Sequence, residues 1–126
     1  MAETTLSQPA NSKLISAQRN MRMSAKLITD AKLGEFTEVK MIVNHPMETG
    51  RKKDDSGQLI AAHFIQVLTV ISNGKQVFEA HMGTGIAKNP YLTFRIKGVK
   101  VGEKLSANWV DNQGETGVGE VLVTLG

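Results

Sequence analysis

The sequence predicts an all-β fold, an immunoglobulin-like sandwich of two antiparallel sheets with about seven strands. Apolar residues alternate with polar ones at a period of two through most of the chain. Turn-forming dipeptides recur between those runs, and no stretch carries the spacing of a sustained amphipathic helix. At 126 residues the chain has room for one domain with one sizeable core.

Residues 1–20 are polar, with Pro9 and several Ser, Thr, Gln and Asn, and bury too little surface to offset their ordering entropy. A flexible leader is expected there, and the folded domain over residues 21–126. Met21, Met23, Ala25 and Leu27 alternate with Arg22, Ser24 and Lys26, the pattern of a half-buried strand. Ala31-Lys32-Leu33-Gly34-Glu35 turns the chain into a second strand, in which Thr37, Val39, Met41 and Val43 share a face. Pro46 lacks a ladder donor, so that strand ends before it or lies at an edge. Arg51 to Gly57 is expected as a solvated hairpin tip. Ala62 to Ser72, the most apolar and β-branched run, reads as a central strand. Asn73-Gly74 is a strong hairpin signal because both residues tolerate positive φ, and Gln76 to His81 is the return strand. The loop Met82-Gly83-Thr84-Gly85 leads to Asn89-Pro90. Leu92, Phe94 and Ile96 then alternate with polar residues, as do Leu105, Ala107 and Trp109 after a turn at Val99–Gly102. Asp111-Asn112-Gln113-Gly114 closes a further hairpin, and Thr116 to Leu125 is the last strand, with Val121, Val123 and Leu125 on one face.

Composition narrows the chemistry. The chain has no Cys, which excludes a thiol nucleophile, a disulfide and a Cys-ligated metal. A net charge of +3 is scattered and aromatics make up 5%, so the interleaved basic and aromatic groove of a single-strand nucleic-acid binder is missing. No apolar run reaches the roughly 18–20 residues of a membrane span. The first residues lack an apolar h-region, so no Sec-type export signal of the chain's own is expected.

The densest chemistry lies in Asn44-His45-Pro46-Met47-Glu48-Thr49-Gly50. His45, His63 and His81, with Met47 and Met82, are the imidazole and thioether ligands available. A stand-alone copper or small-ligand protein would use His45, Met47, His81 and Met82, although no His-x-His or His-x₃-His pair exists. A hydrolase would draw on Thr49, His45 and Glu48, yet no nucleophile elbow is present. Gly83-Thr84-Gly85 lacks the following helix and Lys of a phosphate loop. Trp109 falls on the core face of its strand. Tyr91 either seats on the core edge or faces a partner. The residues themselves therefore favour neither catalysis, nor a metal, nor a cofactor.

His45-Pro46-Met47-Glu48-Thr49-Gly50, followed by its basic-acidic loop, resembles the signature of the SoxZ family of bacterial thiosulfate oxidation. The resemblance runs from Met21 to the end and includes Ala31–Glu35, Asn73-Gly74-Lys75, Val77-Phe78, Asn89-Pro90-Tyr91-Leu92 and Trp109–Gly114, in order and with matching spacing. It departs from the family in the longer leader and at Met82-Gly83-Thr84-Gly85-Ile86. The resemblance implies an immunoglobulin-type sandwich without enzyme activity that forms a heterodimer, or a heterotetramer of two such pairs, with SoxY. The flexible Gly-Gly-Cys-Gly-Gly end of SoxY carries sulfur intermediates between the other Sox enzymes. It also implies a periplasmic location reached by export with the signal-bearing partner. Partner contact is implied for the signature His45, Pro46, Met47, Glu48, Thr49 and Gly50, and for Asn89, Pro90 and Tyr91.

Overall fold

The computed structural model describes residues 21–126, and the expected leader over residues 1–20 lies outside the described residues. The strands are β1 (Met21–Asp30), β2 (Gly34–Val43), β3 (Ile65–Ser72), β4 (Lys75–His81), β5 (Tyr91–Ile96), β6 (Lys104–Asp111), β7 (Thr116–Leu122) and β8 (Thr124–Leu125). They form two four-stranded sheets, β5-β2-β1-β8 and β4-β3-β6-β7. Every pairing is antiparallel except β1 with β8. The all-β two-sheet sandwich is therefore the observed fold. Among the described residues no helix is long and apolar enough to cross a membrane.

The period-two pattern does the work expected of it. Met21 and Ala25 on β1, Val39, Met41 and Val43 on β2, Leu68 and Val70 on β3, and Leu105, Ala107 and Trp109 on β6 are all buried in one core. Phe78 of β4 and Phe94 of β5 stack with centroids 3.8 Å apart, closing the sandwich where an edge strand of each sheet comes together.

Two boundaries differ from the sequence reading, each for a local reason. The central strand begins at Ile65 rather than Ala62. His63 instead exchanges backbone hydrogen bonds with Glu48, and the Ala62 carbonyl accepts the side-chain amides of Asn112 and Gln113. The last strand is broken at Val123, whose N–H and C=O bond Glu103 and Gly102. After that break the chain crosses from β6 in one sheet to β1 in the other. Val123 is 1% exposed and Leu125 77%, so the two do not share a buried face.

Glycines on β7 admit two large side chains. A Cβ at Gly117 would lie 2.2 Å from Trp109 Nε1, and one at Gly119 would lie 2.4 Å from Met21 Sδ. Strand glycines of this kind mark close approach, here of an indole across the strand pair.

Candidate functional site

Three stretches far apart in sequence meet at one end of the sandwich: Asn44–Gly50, Asn89–Tyr91 and Trp109–Glu115. His45 and Asn89 hold the first two together. The His45 N–H donates to Asn89 Oδ1 and the Asn89 N–H donates to the His45 carbonyl, both at 3.0 Å. Val43 donates to the Pro90 carbonyl at 3.0 Å. The third stretch enters through Asp111, whose side chain is fully buried.

Asp111 accepts on both oxygens. Oδ1 takes the backbone N–H groups of Gln113 and Glu115, at 3.0 and 2.8 Å, and so shapes the β6–β7 turn. Oδ2 takes Nε2 of His45 at 3.0 Å and Nε2 of His63 at 2.7 Å. His63 Nε2 also lies 3.1 Å from Glu115 Oε1. Burial pushes the Asp111 carboxyl up, but the donors from His45, the Glu115 backbone, His63 and the Gln113 backbone outweigh it. The group is held below the usual carboxylate range.

The tautomer of His45 follows from its other nitrogen. Nδ1 accepts the Met47 N–H at 3.1 Å, so the ring proton sits on Nε2 and points at Asp111. That bond also holds Met47 at φ +48°, a left-handed conformation costing about 1–2 kcal/mol for a residue with a side chain. The Met47 side chain is 5% exposed, and its Sδ accepts the Ile65 N–H at 3.3 Å. Trp109 packs edge-to-face on His45 with centroids 5.1 Å apart. Its Nε1–H is buried and has no hydrogen-bond partner among the described residues.

His45, His63 and Asp111 place one ligand atom each within 4.8 Å of one another, as a metal site would. The hydrogen bonds argue for a different use. A histidine that ligates through one nitrogen donates a proton from the other. Here Nδ1 of His45 is already an acceptor, so ligation through Nε2 would require an imidazolate. The cluster is a hydrogen-bonded clamp: His45 supplies the loop after β2, His63 the approach to β3, and Asp111 with Glu115 the β6–β7 hairpin.

The four-ligand copper set from the sequence does not assemble. His45 and Met47 are buried in the clamp, whereas His81 is 70% exposed on β4 and pairs with Glu79. Nor do the three hydrolase candidates come together. The Thr49 hydroxyl accepts the Arg51 N–H at 3.1 Å, while the His45 ring serves Asp111.

Among the signature residues, His45 and Met47 face the interior, Glu48 and Gly50 are half-buried, and Pro46 and Thr49 are exposed. Gly50, at φ +85°, packs against Ala62. Asn89 is exposed with φ +55°. Pro90 is buried, and Tyr91 is 58% exposed beside Ile42 and Arg22. A cleft of about 400 Å³ separates Pro46–Thr49 from Thr84–Lys88. The sequence reading gave Asp111 only a turn role, gave His63 no role beyond an available imidazole in a strand, and did not single out Glu115. A hint was available, since an Asp directly before a turn commonly receives backbone N–H groups two residues on and beyond.

Fold and site together define a β-sandwich domain locked at one end by a buried His–Asp–His clamp. Sequence comparison narrows the class further. The family of sulphur oxidation protein SoxZ matches residues 25–121, and the chain belongs to that family. This gives it a role in the Sox sulphur oxidation system. No curated protein matches the chain. Among solved structures it is similar to a superoxide reductase in the oxidized state, at 18% identity and a TM-score of 0.51. That match covers 79% of this chain and 85% of the other, and it shows a shared fold.

Proposed function

We propose that this chain is the non-catalytic scaffold subunit of a periplasmic sulfur carrier, binding a SoxY-type subunit whose terminal Cys bears the sulfur intermediates. The observation that carries this reading is the family match over residues 25–121. The complete absence of Cys supports it, because a scaffold without a thiol does not capture the bound sulfur by exchange. A Cys arm that visits several enzymes must be mobile, so affinity and stability have to reside in a rigid body. The clamp supplies that rigidity by fixing the loops around one end of the sandwich.

A permanent pair of this kind buries well over about 1,500 Å². The test is co-expression with the product of the neighbouring reading frame, followed by purification through a tag on this chain alone. A stable one-to-one complex with a protein ending in Gly-Gly-Cys-Gly-Gly is expected. A chain that stays monomeric in the presence of that protein would overturn the proposal. Recovery of both proteins from the periplasmic fraction tests the location.

A further inference from the structure

The two outer faces of the sandwich are chemically unlike. On the β5-β2-β1-β8 sheet, the register aligns Tyr91, Ile42 and Arg22, then Thr93, Lys40 and Ser24, then Arg95, Glu38 and Lys26. The central strands of that face therefore carry charge at Arg22, Lys26, Glu38 and Lys40. Such a face is at home in water.

The outer face of the β4-β3-β6-β7 sheet differs. Leu68, Val70, Ala107 and Trp109 point into the core, so the intervening residues point outward. The register aligns His81, Val67, Val110 and Thr116, then Glu79, Thr69, Asn108 and Val118, then Gln76, Ile71, Ser106 and Glu120. The central strands β3 and β6 present Val67, Thr69, Ile71, Ser106, Asn108 and Val110, with no charged group among them. Charge lies at the rim, on the edge strands and at Lys104, the first residue of β6. Glu79 pairs with His81 on β4, and Glu120 on β7 lies 3.6 Å from Lys104 at the end of β6. Solvated antiparallel sheets carry polar residues outward. An uncharged, β-branched centre inside a charged rim is instead the anatomy of a protein interface.

The size fits as well. Four strands spaced about 4.8 Å apart and about 25 Å long give a flat area of roughly 500 Å², which side-chain relief raises towards the ~800 Å² per partner of a standard interface. The face also begins beside the clamp, since Val110 precedes Asp111 and Thr116 follows Glu115. The clamp therefore fixes the hairpin that presents one end of this face.

We propose that the outer face of the β4-β3-β6-β7 sheet, centred on Val67, Thr69, Asn108 and Val110, is where the carrier subunit docks. The occupant presents an uncharged, mainly apolar protein surface of matching size. This inference rests on the scaffold reading and locates its interface.

The experiment uses the full chain co-expressed with the Cys-bearing protein of the neighbouring reading frame. The double variant Asn108→Lys/Val110→Lys places two ammonium groups at the centre of the face, at positions already exposed. Arg22→Glu/Lys40→Glu alters the opposite face as a control. Unfolding midpoints of the isolated variants establish that each is folded. The expected result is binding about 100-fold weaker for the Asn108/Val110 variant, as loss of interface centres gives, with the control within a few-fold of the parent. Should Asn108→Lys fail to fold with Val110→Lys, Thr69→Lys alone probes the same centre. Unchanged binding by the folded face variants overturns the location while leaving the scaffold reading intact. Absence of any complex for the parent chain overturns both. A self-associating parent chain, dissociated by Asn108→Lys/Val110→Lys, would make a second copy the occupant and overturn the proposal.

Discussion

Replacing Asp111 with Asn keeps the side chain's size and removes only its charge and one acceptor. The amide oxygen has to stay where Oδ1 is, receiving Gln113 and Glu115 at 3.0 and 2.8 Å. The new NH₂ then faces Nε2–H of His45 and of His63 at the 3.0 and 2.7 Å positions, donor against donor. His63 retains Glu115 at 3.1 Å. His45, only 2% exposed, has no route to water, and moving its proton to Nδ1 would set it against the Met47 N–H at 3.1 Å. Losing a hydrogen bond to a charged acceptor and stranding a buried donor together cost about 3 kcal/mol. For a domain of this size that lowers Tm by about 11–14 °C. Urea unfolding reads the loss through Trp109, the chain's single Trp, whose ring lies 5.1 Å from that of His45. A loss below about 1 kcal/mol would refute the clamp as a stabilising element.

Further outcomes follow from the same geometry. The Asp111 carboxyl sits below its ordinary value of 3.8 in the folded protein, so its contribution is complete above that value and is lost as pH falls through the lower folded value. The parent chain should therefore lose stability faster than Asp111→Asn in urea titrations stepped down from pH 4; parallel slopes would contradict the assignment. Gly117→Ala pushes a Cβ to 2.2 Å from the indole Nε1 and should cost about 1–3 kcal/mol by overpacking, with a shifted Trp109 emission. Gly74→Ala, in open space but at φ +75°, should cost only about 1 kcal/mol and leave that emission alone. Zinc titration should leave Tm unchanged. A gain of about 2.7 kcal/mol, the value for saturation at a hundred times Kd, would show that the His45 ring adopts a ligating tautomer.

Strand positions and turns were legible because alternation and turn chemistry are local. Met21, Val39, Leu105 and Trp109 occupy core positions that a period of two alone assigns. The Asn44–Gly50 stretch was also visible as special, through its composition. Its partners were not, because Asp111 and His63 reach His45 from other strands, and only the three-dimensional register sets that meeting. Asp111 looked like an ordinary turn residue, since it is one through Oδ1; its second role, through Oδ2, leaves no mark nearby in the chain. His45 and Met47 were expected in partner contact on the strength of a signature motif. In this chain both are buried behind the surface that Pro46 and Thr49 present. The break at Val123 was hidden because Val121, Val123 and Leu125 alternate as one strand would, and a change of sheet does not alter that alternation.

The parallel pairing of β1 with β8 sets Lys26 beside Thr124 and Leu27 beside Leu125. Nearly the whole described chain lies inside the loop that this contact closes, and contacts of such long sequence separation form slowly. During synthesis β1 can pair with β2, but its other edge waits for the final strand. Until then that edge offers bare backbone donors and acceptors to any neighbouring strand. The parallel pairing at Lys26 and Leu27 therefore forms only once the last strand is in place. Pulse-labelled hydrogen exchange would register this order as late protection of the amides on the β8-facing edge of β1.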